Sequence, residues 1–345
     1  MKSKTVIGFI LLVLLAAPVG GASGSSQSAA PPAAVVPPQE DTLVISASPH
    51  HASALVWIAA EQGFFREQRL KVEIKVYEAG KYAVTDLLAG KLDAALASEM
   101  VAAEQILEGA SLLRILTSIA TLDMNSIVAD RARGISRPVD LKGKTVGVTR
   151  GTTGEFFLGV FLTFQGLTLE DVQLVNLRPK ELQAALAQGR VAAVSTWEPF
   201  AEEVKTALGD RGLAWSSQCG QDYYWLLLSA APTVAGKQPA LVRLVRALAR
   251  AQAFVAQHPG AARGILAARL GWTPAYLGRF WPQGKYALQL NQALVLAMEN
   301  EAYWLLNHHL APPQPVPNFL AYMDTSVLAA AKPEAVQIPG LEPGR

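Results

Sequence analysis

From residue 42 onward the chain alternates between two hydrophobic periods, and that alternation limits the folds open to it. "TLVISAS" (Thr42–Ser48) is a short apolar run of the kind found in a buried strand. "ASALVWIAAEQGFF" (Ala52–Phe65) places Leu55, Ile58 and Ala59 on one helical face before Gly63 stops it. Next come "KVEIKVYEA" as a strand, "KYAVTDLLAG" as a helix ending at Gly90, "LDAALAS" as a strand, "MVAAEQILEG" as a helix and "LLRILTSIA" as a strand. Strand and helix in turn predict an α/β unit with a mainly parallel sheet. After the turn-rich connector "DRARGISRPVD" (Asp130–Asp140) the alternation resumes with "KTVGVTR", "GTTGEFFLGVFLTFQG", "VQLVNL", "PKELQAALAQG" and "RVAAVST". Two α/β units are therefore expected.

The units echo each other. "LLAGKLDAALASEM" and "ALAQGRVAAVSTWEP" both run from a helix stopped on glycine, through a basic residue, into an apolar strand that ends near a glutamate. Gly90 aligns with Gly189, and Glu99 with Glu198. Ligands of open α/β sheets sit outside the carboxyl ends of the strands. Ser98 and Glu99, with Trp197 and Glu198, become candidate cleft residues on two opposed units. A tryptophan face and a carboxylate suit a ligand, while Glu198 capping the next helix is the structural alternative. In "RGTTGEFF" (Arg150–Phe157), Thr152 and Thr153 open a helix whose free N–H groups favour an anion or a carbonyl oxygen. No Gly-Lys-Ser/Thr follows, so this is not a P-loop.

The N-terminus reads as an export signal. Lys2 and Lys4 precede the apolar run Val6–Ala17, and small residues follow to a cut near Ala22. The run falls short of the roughly 20 residues that span a bilayer, so a cleaved leader is expected, with a retained anchor as the alternative. Residues 23–40, rich in serine, alanine and proline, read as a disordered tether. Periplasmic location is the expectation. A net charge of +2 gives no argument for nucleic acid. Cys219 is the sole cysteine, which excludes an internal disulfide and a cysteine-based metal site. His50 and His51 adjoin, but no further ligands accompany them in sequence, so no metal and no cofactor is expected.

Five stretches together carry a resemblance: "ALVWIAAEQGFFREQRLKVEI", "LLAGKLDAALASE", "DLKGKTVGVTRGTTGEFFL", "WEPF" and "VPNFLAYMDTSVLAAAKPEAVQI". The chain resembles the nitrate/sulfonate/taurine-type solute-binding proteins of ABC importers, grouped with the NMT1/THI5-like proteins. The resemblance implies the type II periplasmic-binding-protein fold, two α/β lobes joined by two hinge crossings. It divides the chain into residues 1–22 (leader), 23–40 (tether), 41–128 with 223–338 (first lobe), 129–222 (second lobe) and 339–345 (tail). It places the loop bearing Ser48, His50 and His51 at the cleft, where Ser53 can cap the following helix, and sets Asp222 and Tyr223 beside the second crossing. It implies a small-molecule ligand, a membrane permease as partner and a monomer. One departure stands out: the family's usual aspartate, matched by Asp93 in the first unit, is replaced by Ala192, which removes a charge near the cleft edge.

Two glutamates and an aspartate favour a cationic ligand, and the Gly-Thr helix start an anionic one; the ligand's charge stays open. Three functions fit: delivery of a solute to an importer, a pyrimidine-precursor synthase of the THI5-like kind, and a ligand-sensing subunit.

Overall fold

The structure is a computed structural model that describes residues 40–339. The leader, all of the tether but Glu40, and residues 340–345 lie outside the described residues. The chain opens with β1 (Asp41–Ala47), α1 (Ala54–Glu61), α2 (Phe64–Glu67), β2 (Leu70–Val76), α3 (Gly80–Leu88), β3 (Ala94–Ser98), α4 (Glu99–Leu107) and β4 (Leu113–Leu122). It continues through β5 (Asn125–Asp130), β6 (Thr145–Val148), α5 (Thr153–Phe164), β7 (Gln173–Asn176), α6 (Pro179–Ala187), β8 (Ala193–Trp197), α7 (Phe200–Leu208) and β9 (Gly212–Ser216). β10 (Tyr223–Ala230) is followed by α8 (Ala231–Gln257), α9 (Pro259–Leu270), α10 (Pro274–Phe280), α11 (Gln292–Asn307) and α12 (Thr325–Ala331).

Two five-stranded sheets result, ordered β2-β1-β3-β10-β4 and β7-β6-β8-β5-β9. β1 is parallel to β2 and β3, as β6 is to β7 and β8. β10 and β5 run antiparallel to both of their neighbours. Each sheet therefore departs from the expected parallel arrangement at one strand, the one that enters it directly after a crossing. β5 pairs with β8 from Asn125 to Ala129, so it belongs wholly to the second sheet, and the chain changes sheet ahead of the boundary expected at 128/129. The helices after β10 complete the first lobe. In α8, Leu241, Leu244, Val245 and Leu248 are fully buried, while Arg243 and Arg250 pair with Asp41 and Glu67.

The second lobe carries two apolar clusters on opposite faces of its sheet, as the alternation of Ile127 and Val128 requires. Its Phe156, Phe157, Trp197 and Phe200 belong instead to the large cluster of the first lobe. The apolar core thus runs across the lobe boundary. Trp304 of α11 packs edge-on against Phe156, with ring centres 5.2 Å apart. It lies so close over Gly159 that a Cβ there would come within 2.5 Å of the indole.

Gln218, in the second crossing, binds the first. Its Oε1 accepts from the backbone N–H of Met124 (2.6 Å) and Asn125 (3.1 Å) and from Asn125 Nδ2 (3.1 Å). Its Nε2 donates to the carbonyls of Leu122 (3.0 Å) and Gln221 (2.9 Å). Removing this side chain strands buried backbone groups, at about 1–3 kcal/mol for each one left unsatisfied. Gln218→Ala should therefore lower unfolding free energy by about 2–4 kcal/mol in chemical denaturation; a loss within a few tenths would show that the crossings hold without it.

Candidate functional site

A narrow space lies between the lobes, with room for about 20 Å³ of water-sized centres. Its walls come from both: His50, Ala79, Gly80, Ser98, Val101, Tyr223 and Trp225 on one side, Thr152, Thr153 and Trp197 on the other. All of these residues are buried, so the lobes are closed over the space.

Local sequence explains the wall. Three helices begin here: α3 at Gly80, α4 behind Ser98 and α5 behind Thr152. Ser98 Oγ accepts from Val101 N–H (3.2 Å) and Thr152 Oγ1 from Gly154 N–H (3.3 Å), the N-cap role expected of these residue types. Tyr223 and Trp225 are two apart on a strand and so share a face; their rings stack with centres 6.0 Å apart. His50 sits edge-on to Trp225 at 4.7 Å. The loop bearing it is pinned by Ser53, whose Oγ accepts from Ser48 N–H (3.0 Å) and Trp225 Nε1 (3.2 Å). Ser53 therefore braces the loop and makes no side-chain cap to α1, contrary to expectation.

Of the residues singled out in the sequence, His50, Ser98, Thr152, Thr153, Trp197 and Tyr223 meet at this cavity. Ser48, His51, Glu99, Glu198 and Asp222 are not in its wall. Ser48 is buried in the loop, its carbonyl accepting from Trp57 Nε1 (3.1 Å). His51 turns to Trp272, away from His50's contact with Trp225. Asp222 is exposed. Glu99 is fully buried, with Oε1 accepting from Tyr224 N–H at 3.0 Å. Glu198 accepts from Glu202 N–H (3.3 Å), at the start of α7, and from Tyr276 OH (3.4 Å). Glu198 thus contacts the first turn of α7, whose N-cap residue is Pro199. Trp225, Gly80, Ala79 and Val101 were missed; for Trp225 the two-residue spacing from Tyr223 was the available signal. Ala192 precedes β8 just as Asp93 precedes β3, at the strand end opposite Ser98 and Trp197. Asp93 there accepts from Val44 N–H and pairs with Lys237. The missing carboxylate is therefore remote from the cavity.

Electrostatics follow from burial. Desolvation, then the neighbouring His51, lowers His50 to about 3, and desolvation lowers His51 to about 4, so both rings are neutral near pH 7. His50 Nδ1 is buried without a hydrogen-bond partner. Desolvation raises Glu99 to about 8 against the opposing pull of the Tyr224, Glu99 and Met100 backbone N–H groups. Desolvation and then Glu202 raise Glu198 to about 8. Among the described residues no group of three or more His, Cys, Asp or Glu could hold a metal ion.

Charge gathers outside the cavity, in contacts that cross between lobes. Arg178 pairs with Glu78 at 2.5 Å and Arg279 with Glu202 at 2.5 Å. Lys81 Nζ donates to Arg150 O at 2.7 Å. At Gly151 (φ +66°), which follows, an added Cβ would collide with Glu104 and Lys81.

Glu99, Glu104 and Glu198 have folded values of about 8, 7 and 8, above the ordinary 4.5. A raised carboxyl stabilises the fold fully below 4.5, and that contribution is lost as pH climbs through the folded value. Melting temperature should fall between pH 5 and 9. Glu198→Gln should shallow the fall, regaining on the order of 1–3 kcal/mol at the alkaline end; a parallel profile would contradict this.

A family model described as "NMT1/THI5 like" matches residues 48–262. A binding protein of Brucella abortus (strain 2308) is 29% identical over 157 residues, 44% of this chain and 46% of its own. A protein of Bacillus subtilis (strain 168) named as aliphatic sulfonates-binding is 33% identical over 148 residues, 41% of this chain and 44% of its own. These matches span less than half the length of either relative. Among solved structures, the alkanesulfonate-binding protein SsuA of Xanthomonas axonopodis pv. citri, bound to MOPS, aligns with TM-score 0.70 at 18% identity, covering 87% of this chain and 99% of that one. The desulfurization enzyme DSZB aligns with TM-score 0.59 at 19% identity, covering 85% and 99%. The two-lobed architecture is that of the periplasmic binding proteins.

Proposed function

The chain belongs to the NMT1/THI5-like family, and on that premise we propose that it is an extracytoplasmic solute-binding protein. It captures a small organic anion between its lobes and delivers it to an ABC importer. The observation that carries this reading is the lining of the space: drawn from both lobes, free of ionised side chains, and met by the starts of three helices. Helix starts present unpaired N–H groups and a partial positive charge, which complement an anionic head. The carboxylates that would have favoured a cation lie outside the wall. Trp197, Tyr223 and Trp225 supply apolar faces for an organic tail. The closed space has room for only about 20 Å³ of water-sized centres, far below the roughly 300–1,000 Å³ of drug-sized sites, so a solute is admitted only with the lobes moved apart. Short alkanesulfonates meet these requirements, and the sulfonate-binding names among the relatives agree with that class. Lobe opening and closing supplies entry and release. Among the described residues no helix is long and apolar enough to cross a membrane; the leader read at residues 2–22 supports export.

The likeness to DSZB keeps catalysis as a second reading. Against it, the Ser98 and Thr152 hydroxyls are engaged in helix caps, and Cys219 is exposed rather than in the cavity wall.

His50 provides a sharp test, because its buried Nδ1 lacks a partner. A ligand oxygen there would satisfy it, and an empty site leaves the desolvation cost standing. His50→Leu should weaken ethanesulfonate binding about 10- to 100-fold by calorimetry while leaving the ligand-free melting temperature unchanged or raised. Trp197→Ala should cost a similar factor in affinity but lower stability too, since its ring also packs against Phe200. If ethylammonium raises the melting temperature and ethanesulfonate does not, the anion reading fails.

A further inference from the structure

Two carboxyl groups lie buried beside the cavity wall with almost nothing to hold their charge. Glu99 is the first residue of α4, and Glu301 lies on α11, which packs along α4. Both are fully buried. Of their four carboxyl oxygens only Glu99 Oε1 has a hydrogen-bond partner, the N–H of Tyr224. The ionisable groups that act on the pair are Tyr223 and Tyr224 of β10 and Asp222 just before it; no lysine or arginine is among them. Burial and then Glu99 push the Glu301 carboxyl upward, and burial and then both carboxyls push the Tyr223 hydroxyl upward. Tyr223 itself forms part of the cavity wall.

Three partnerless oxygens in a dry setting cannot carry two negative charges, so the pair retains at least one proton under ordinary conditions. Glu99 also occupies the start of α4, the same helix end that a bound anion would use. An ionised Glu99 and an anionic ligand compete for one positive terminus and repel each other across the Tyr223 wall.

We propose that the Glu99–Glu301 pair makes anion capture proton-linked: one anion and one proton enter together, and the proton settles on the carboxyl pair. This rests on the anion-binding reading above. The balance is simple. A pair carrying one negative charge takes up one proton, becomes neutral, and the ligand's charge replaces the one removed. Capture is then strongest in acidic surroundings and fades as the pair ionises in the free protein. His50, the other titratable group in the wall, is neutral throughout this range and supplies no proton.

The test is calorimetry of the full mature chain with ethanesulfonate, from pH 6 to 9, in two sulfonate-free buffers of different ionisation enthalpy. Wild type should take up close to one proton per anion at the alkaline end, and affinity there should fall about tenfold per pH unit. Glu99→Gln/Glu301→Gln should bind with affinity that no longer depends on pH and with no proton uptake. An infrared difference spectrum of wild type on adding ethanesulfonate at pH 9 should gain the carbonyl stretch of a protonated carboxyl, a readout that needs no variant. Binding without proton uptake, or uptake that persists in the double variant, overturns the proposal while leaving anion capture standing. Failure of ethanesulfonate to bind wild type at any pH overturns both.

Discussion

One side chain, Gln218, holds the geometry on which everything else depends. The two crossings are the only places where the described chain passes from one sheet to the other, and Gln218 hydrogen-bonds both of them. Backbone that leaves one sheet before joining the next has no ladder partner, and buried N–H and C=O groups left bare are costly. A single amide, with an acceptor oxygen and two donors, supplies partners for four backbone groups at once. Around this tie the two lobes are assembled alike, each admitting one reversed strand at the fourth place of its sheet. The cavity sits where the carboxyl ends of β3 and β8 face each other.

Most of the architecture was legible because the signals are local. Strand and helix periods lie within single segments, and they gave the order of elements through β8 with small errors at the ends. The Trp-Glu-Pro sequence drew attention to Trp197 for the same reason, and its ring stands in the cavity wall while also packing against Phe200. The glutamates misled. The echo between Glu99 and Glu198 is real, and both stand at equivalent helix entrances, but a shared position does not fix a shared direction. Ser98 and Trp197 end their strands facing the cavity, and the residue after each turns away from it into the first helical turn or beneath it. Gln218 was invisible for a different reason. Its partners Met124 and Asn125 lie 94 and 93 residues away, and nothing in the surrounding "SSQCGQD" marks it as more than a polar loop residue.

Charge and neutrality are segregated. Burial strips His50 in the wall and Glu99 behind it of their charge, while the ion pairs Arg178–Glu78 and Arg279–Glu202 lie at margins where the lobes meet. Exposed pairs contribute little to stability, about 0–1 kcal/mol, but they are directional and salt-sensitive. They guide the lobes into register without fixing them shut. The cavity wall presents helix termini and ring faces, which do not change with ionic strength in the way surface pairs do.

The shared apolar core bears on this last point. Because Phe156, Trp197 and Phe200 pack into the cluster of the other lobe, and Trp304 rests on the glycine at position 159, separating the lobes wets aromatic surface. Each such ring held from water is worth about 1.5–3 kcal/mol. The closed arrangement is therefore held by the molecule's own interior, and opening it carries the cost of wetting those rings. On the solute-binding proposal, the consequence falls on release: a molecule held behind aromatic packing departs slowly unless something outside the protein pries the lobes apart.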